Sequence, residues 1–159
     1  MLVIDSREYG PLKKRAVAAI PTAQVEFLHA GDYLLFDEDG HSIGIERKEI
    51  RDLLNSLAQN KLKRQLDSLR QYDEGILLIE GHWQVTKQGK LIVHEKYTAW
   101  QPQSVQAILL ALQEQTGAKV LHTANYDETL ITLRMLNKRG DAGCFWPKEI
   151  NDAQTNRAA

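Results

Sequence analysis

Apolar and polar residues switch between two periods along this chain, and the switches mark its elements. Leu2-Val3-Ile4 is a continuous apolar run ending in Asp5-Ser6-Arg7-Glu8, the pattern of a short strand buried on both faces. Gly10-Pro11 opens a helix over Leu12 to Ile20, with proline in the tolerated first turn, and Pro21 closes it. Strands are expected at Gln24 to His29, Tyr33 to Phe36 and Ser42 to Glu46, the last two joined by the turn residues Asp37-Glu38-Asp39-Gly40. From Glu49 the spacing becomes helical. Ile50, Leu53, Leu54 and Leu57 share one face, then Leu62, Leu66 and Leu69, with Asn60 between them able to take the left-handed backbone that ends one helix before another begins. A strand at Ile76 to Glu80 follows. A hairpin is expected at Trp83 to Thr86 and Leu91 to Val93, then a helix over Pro102 to Gln115, a strand over Lys119 to His122 and a helix over Asp127 to Lys138. Mixed strands early and βα alternation later predict an α/β three-layer sandwich around a central mixed β-sheet.

Composition narrows the function classes. A chain of 159 residues favours one domain, placed here at residues 1–140, with the mostly polar residues 141–159 a partly disordered tail. Twenty Lys and Arg against 21 Asp and Glu leave a formal charge of −1, so any grip on nucleic acid must come from local patches. The single cysteine, Cys144, excludes an internal disulfide and a multi-cysteine zinc site, and fits a reducing compartment. The start of the chain lacks a basic segment followed by a long apolar core, and no apolar run approaches membrane-spanning length. A cytoplasmic protein, neither secreted nor membrane-bound, is the expectation. The five histidines show no zinc spacing, and neither a phosphate-binding loop nor a serine nucleophile elbow occurs.

The informative stretch is Gly31-Asp32-Tyr33 followed by Ile45-Glu46-Arg47-Lys48-Glu49-Ile50-Arg51-Asp52. On a strand, Glu46 and Lys48 project from one face and Arg47 from the other. Asp32 lies one hairpin away. Two carboxylates and an ammonium suit metal-assisted phosphodiester hydrolysis: hard oxygens hold a divalent ion, which acidifies water, while the lysine stabilises developing charge. Asp5, at the end of the first strand, is a further carboxylate for the same cluster. Each residue alone has a plainer reading: Asp32 as a turn residue, Glu46 and Lys48 as a solvated strand face, Asp52 as a first-turn acid on a helix dipole, Arg7 and Glu8 as a surface pair. The conjunction is the more specific signal.

Val3-Ile4-Asp5-Ser6-Arg7-Glu8, Gly31-Asp32-Tyr33 and Glu46-Arg47-Lys48-x-x-x-Asp52 resemble the successive motifs of the XPF-type nuclease domain, in the restriction-enzyme-like PD-(D/E)xK superfamily. The likeness continues through Asp52-Leu53-Leu54-x-Ser56-Leu57, Lys61-Leu62-x-x-Gln65 and Leu77-Leu78-Ile79-Glu80, covering roughly residues 2–138. It implies a Mg²⁺- or Mn²⁺-dependent endonuclease acting on branched, flap or fork DNA in repair, recombination or replication. Asp5, Asp32 and Glu46 would be metal ligands and Lys48 would position the attacking water. Arg47 and Asp52 would be essential members of the site, Arg47 through its backbone carbonyl or by pairing behind the ligands, with Arg7 and Glu8 in support near the scissile phosphate. It also implies a homodimer through the helix around Val105 to Leu112. Two departures stand out. Asn60-Lys61-Leu62 replaces a usual Gly-Arg-Leu, and Glu49 stands where a small capping residue is common. Relatives usually carry a helix-hairpin-helix domain after the nuclease, for which the residues past 140 are too few; a helix-hairpin-helix-containing partner, a helicase or a second copy is then expected to supply DNA affinity.

Residues 61–70 hold four cations, Lys61, Lys63, Arg64 and Arg70, against Asp67; the first three are candidate DNA-backbone contacts. Lys13-Lys14-Arg15 reads better as a solvated helix face, and Lys138-Arg139 makes a third cluster. Two other functions fit the same motifs. One is a catalytically silent DNA-binding scaffold. The other is a sequence-specific restriction-type enzyme, for which residues 83–97 are the candidate base-reading element.

Overall fold

The computed structural model describes residues 1–137. The expected tail over 141–159, Lys138-Arg139 and Cys144 lie outside the described residues. Strand β1 (Leu2–Asp5) leads into helix α1 (Gly10–Ala19), then strands β2 (Gln24–Glu26), β3 (Tyr33–Phe36) and β4 (Ser42–Glu49). Helices α2 (Ile50–Ala58) and α3 (Leu62–Ser68), with a 3₁₀ turn at Leu69–Gln71, precede strand β5 (Glu74–Glu80). Three short strands, β6 (Gln84–Val85), β7 (Leu91–Val93) and β8 (Lys96–Tyr97), form a small antiparallel sheet. Helix α4 (Pro102–Thr116), strand β9 (Lys119–Thr123) and helix α5 (Tyr126–Asn137) complete the described chain.

The main sheet has the order β2-β1-β3-β4-β5-β9 and is mixed: β3 runs against its neighbours β1 and β4, while β4, β5 and β9 are parallel. Leu2, Ile4, Tyr33, Ile45 and Leu78 line one face and pack with α1 and α5. Leu77 and Ile79 line the other and pack beneath α2, α3 and α4, through Leu53, Leu66 and Leu109 among others. This is the three-layer α/β architecture that the alternation of elements predicts. No helix among the described residues is long and apolar enough to cross a membrane.

Several boundaries differ from expectation for physical reasons. Strand β2 stops at Glu26 and is exposed throughout, because it is an outer strand paired on one side only. Strand β4 runs three residues past Glu46, so the whole Glu-Arg-Lys triplet is extended and paired in parallel with β5. Strand β8 has no sequence signal: His94 and Glu95, which turn the chain into it, hold φ of 48° and 62° without glycine or asparagine. Asn60 does take the expected left-handed backbone, φ 52°.

Gly44 shows how closely β4 is overlaid. A Cβ there would lie 2.1 Å from the Tyr72 ring, whose hydroxyl donates to Ala30 O at 3.1 Å. Gly44→Ala is therefore expected to lower stability by about 1–3 kcal/mol through overpacking. Urea unfolding checks it, and the penalty should shrink in a Tyr72→Leu background, where the ring is gone.

Candidate active site

Parallel strands β1, β4 and β5 all end on one side of the sheet, and the segment entering β3 passes between them. Gly31 makes that passage possible. Its φ is 77°, and a Cβ there would stand 2.9 Å from Ile45 O, so no larger residue brings Asp32 this close to β4. Asp32 is then tied on three sides. Its N–H donates to Ile45 O (2.8 Å), its carbonyl accepts the Asp5 N–H (2.9 Å), and its Oδ2 accepts the Arg47 N–H (2.8 Å).

The alternation of β4 sends Glu46 and Lys48 to the face of α2 and α3. Lys48 Nζ and Gln65 Nε2 both donate to Glu46 Oε1, each at 2.5 Å, so both donors converge on one oxygen of this buried carboxylate. Burial first, and the negative charge of Glu46 next, push the Asp32 carboxyl up to about 7. Glu8 pushes the same way, while the Arg47 N–H and Lys48 pull against them. Asp32 and Glu46 are thus close enough to repel one another. Glu46 is paired with Lys48, whereas the Asp32 carboxylate accepts only the Arg47 N–H among the bonds described.

Asp5 belongs to the same corner but is already compensated. Arg7 donates its backbone N–H to Asp5 Oδ1 at 2.9 Å and closes a bidentate guanidinium pair on both oxygens. Burial alone would raise the Asp5 carboxyl, but these bonds outweigh it and hold it below its ordinary value. The Arg7 guanidinium also donates to Leu28 O (2.7 Å) and lies 4.6 Å from the centre of the Phe27 ring. Asp5 can serve as a metal ligand only after Arg7 releases it.

Arg47 points the other way. It makes two hydrogen bonds to the buried Glu80, at 3.0 and 2.6 Å, and lies 5.2 Å from the Tyr126 ring centre. Glu80 also accepts the Thr129 hydroxyl at 2.7 Å. Burial opposes the charge on Arg47, but its bonds to Glu80 outweigh that and strengthen its hold on the proton. Glu8 accepts the Tyr33 hydroxyl at 2.9 Å, and Tyr33 meets Tyr126 at 3.1 Å, so Glu8 joins this second network and not the carboxylate pair. Burial, then Glu8, push the Tyr33 phenol up, which keeps it a donor.

Asp52 lies in the first turn of α2, exposed, on a polar groove of about 630 Å³ shared with Lys48, Asn55, Lys61, Arg64 and Gln65. Lys61 and Arg64 therefore open onto the site. Lys63 instead bonds Asp67 at 2.6 Å, and Arg70 donates to the carbonyls of Gln115 and Thr116. Glu49 caps α2 itself, accepting the Arg51 N–H at 3.0 Å. Among the described residues, Asp37, Asp39 and His41 also gather ligand atoms within 4.8 Å, at the far end of the β3–β4 hairpin. There Asp37 Oδ1 accepts the N–H groups of Asp39 and His41, the bonding of a tight turn, and we assign it no metal.

Gln65, Glu80, Tyr33 and Tyr126 carry the geometry of the site without having been singled out for it. Gln65, Glu80 and Tyr33 do fall inside the stretches that carry the family likeness; Tyr126 carries no local signal.

The family model of the ERCC4 domain matches residues 4–136, which span both the acids and the second network. The chain belongs to the ERCC4 domain family. Its fold is that of an XPF-type nuclease domain: it superposes on XPF from Aeropyrum pernix with a TM-score of 0.65 and 25% identity, over 86% of this chain and 59% of that one. On XPF from Aeropyrum pernix in complex with DNA the values are 0.65 and 26%, over 86% and 62%. A curated relative, named "Putative ATP-dependent RNA helicase MJ1505", of Methanocaldococcus jannaschii, is 23% identical over 128 residues, which are 80% of this chain and 14% of that protein. The ERCC4 domain described here thus spans about three fifths of the XPF chains and a small part of the helicase.

Two outcomes follow for this ERCC4 domain. With Asp32 raised to about 7 from 3.8, the folded state holds a proton that the unfolded state has lost, so this group's contribution to stability falls as pH rises from about 4 to about 7 and then levels. In metal-free buffer, Asp32→Asn should gain stability on the parent chain across that window, as thermal melting at stepped pH would show. Glu80→Ala strands the Arg47 guanidinium in a largely buried position and is expected to cost about 3–5 kcal/mol in denaturant unfolding.

Proposed function

We propose that this domain is a metal-dependent DNA endonuclease that hydrolyses phosphodiester bonds in branched, flap or fork DNA during repair, recombination or replication. The observation that carries the reading is the convergence of Asp32, Glu46 and Lys48 on one face at the end of the sheet, where burial and, next, the charge of Glu46 raise Asp32. The donor set fits Mg²⁺ or Mn²⁺: hard carboxylate oxygens, excess negative charge, and both Glu46 hydrogen bonds placed on Oε1. A bound ion would neutralise phosphoryl oxygens and acidify a water.

The chain's own residues do the rest. Asp32 and Glu46 offer the ligands. Lys48, anchored on Glu46, orients the attacking water and meets the charge developing on the phosphate, with departure of the 3′-hydroxyl and a 5′-phosphate on the other product. Gln65 holds Glu46 in register, and the Arg47–Glu80 pair fixes the strand between them. Asp5 is a further ligand once Arg7 turns to the scissile phosphate. Lys61 and Arg64 on the groove contact the DNA backbone. A second copy across the exposed Leu110 of α4, or a partner with its own DNA-binding module, completes the grip. Retention of all the acids and Lys48 favours an enzyme over a silent scaffold of the same fold.

The test is incubation with end-labelled duplex, single-stranded and flap DNA in Mg²⁺, Mn²⁺ or EDTA. Cleavage should require the metal, and Glu46→Ala and Lys48→Ala should each lower it at least about a hundredfold while the chain stays folded. Variants that cut as well as the parent would remove the assigned site.

A further inference from the structure

Two pairs of opposite charge flank the acids, and they differ in how the cation is held. Arg47 and Glu80 are both shut inside the fold, their side chains 13% and 10% exposed. Arg7 and Asp5 are unlike one another: the carboxylate is 3% exposed and the guanidinium over it 60%. Arg7 closes the Asp5 carboxylate from outside. What steadies its guanidinium there is Leu28 O and the exposed Phe27 ring, both on the segment that follows the outer strand β2.

The two carboxylate oxygens are not equivalent. Oδ1 accepts the Arg7 backbone N–H at 2.9 Å, in a turn that the Glu8 N–H closes on Asp5 O at 3.0 Å, so this bond survives a swing of the side chain. Oδ2 accepts from the guanidinium alone among the described bonds, through Nε at 3.0 Å and through Nη2. Rotating the guanidinium away thus frees Oδ2 and leaves the carboxylate fixed in direction. Asp5 also abuts the other acids, its N–H donating to Asp32 O at 2.9 Å. Hydrogen bonds to Asp5 come first in strengthening the hold of Arg7 on its proton, and the charges of Asp32 and Glu46 act in the same direction. One exposed cation therefore leans on all three acids.

A divalent ion seeks hard oxygens, and the guanidinium already covers those of Asp5. A phosphodiester presents a pair of anionic oxygens that a guanidinium grips in the same two-pronged manner. Exchanging carboxylate for phosphate costs Arg7 little and uncovers Asp5.

We infer that Arg7 is a stand-in cation of the acid site, which a DNA phosphate draws off so that Asp5 joins Asp32 and Glu46 in holding the metal. This rests on the nuclease reading and deepens it: metal and DNA backbone each tighten the binding of the other, by the same factor in both directions. Without DNA the chain is a poor trap for the ion.

The test measures metal binding rather than cleavage. Electron paramagnetic resonance follows free Mn²⁺ over the parent chain, Arg7→Gln, Asp5→Asn and the double variant, without nucleic acid and above the pH at which Asp32 ionises, about 7. Arg7→Gln should bind Mn²⁺ about tenfold more tightly than the parent, and Asp5→Asn should differ from the parent by about threefold or less, because its carboxylate is covered. In the Asp5→Asn background the gain from Arg7→Gln should shrink to about twofold. A gain of the same size there would come from net charge alone and overturn the inference, as would no gain in either background. Arg7→Lys keeps the charge and loses the fork, and it carries the same comparison if Arg7→Gln does not fold. Fluorescence anisotropy of a labelled duplex, in EDTA and in Ca²⁺, reads the coupling from the other side. The ion should tighten DNA binding about tenfold more in the parent than in Arg7→Gln, and equal factors overturn the inference. Loss of Mn²⁺ binding in Glu46→Ala with no effect of Arg7→Gln would sink the role of Arg7 and leave the nuclease reading standing. Mn²⁺ binding that Glu46→Ala does not weaken would remove the acid site and the nuclease reading with it.

Discussion

Asp32 and Glu46 repel one another, yet the fold gives neither room to withdraw. Asp32 is fixed by its own main chain, bonded on one side to β4 and on the other to β1, and its carboxylate is gripped by the N–H of the residue after Glu46. Glu46 is fixed by Lys48 and Gln65. Two apolar cores on opposite faces of the sheet stabilise the frame that imposes this arrangement. Proteins break local rules of charge pairing where function requires it, and the surrounding structure offsets the cost. In the same corner Asp5 and Arg7 show the relaxed alternative, a carboxylate whose charge is fully met.

The remaining features are arranged around that constraint. Strand β4 is central, paired with β3 on one side and β5 on the other, so the motif residues are held by ladders rather than by loops. Helix α3 approaches closely enough for Gln65 to reach Glu46, and the groove between α2 and α3 brings Lys61 and Arg64 to the same opening. Likeness to XPF covers this domain and leaves the rest of those longer chains unmatched.

Most of the frame was legible in the chain. The layers, the mixed sheet, the hairpin at Asp37 to Gly40 and the left-handed Asn60 follow from hydrophobic period and turn chemistry, because each depends on neighbours in sequence. The pairing of Glu46 with Lys48 and the opposed direction of Arg47 follow from strand alternation alone. What escaped depends on contacts between distant segments. Arg7 closing on Asp5 competes with the ligand role expected for that acid, and Glu8 turns to Tyr33 because the residues after β1 leave its alternation. Lys63 spends its charge on Asp67 one turn away. Strand β8 was invisible because His94 and Glu95 turn the backbone without the residues that usually announce such a turn.

Three successive residues of β4 serve different layers of the molecule. Glu46 and Lys48 belong to the α2–α3 side, whereas Arg47 is tied through Glu80 and Thr129 to α5 on the reverse. The strand therefore bridges the face that carries the acids and the face that holds the Arg47–Glu80 pair. A change on α5, far from the acids, would still reach the strand that carries Glu46 and Lys48.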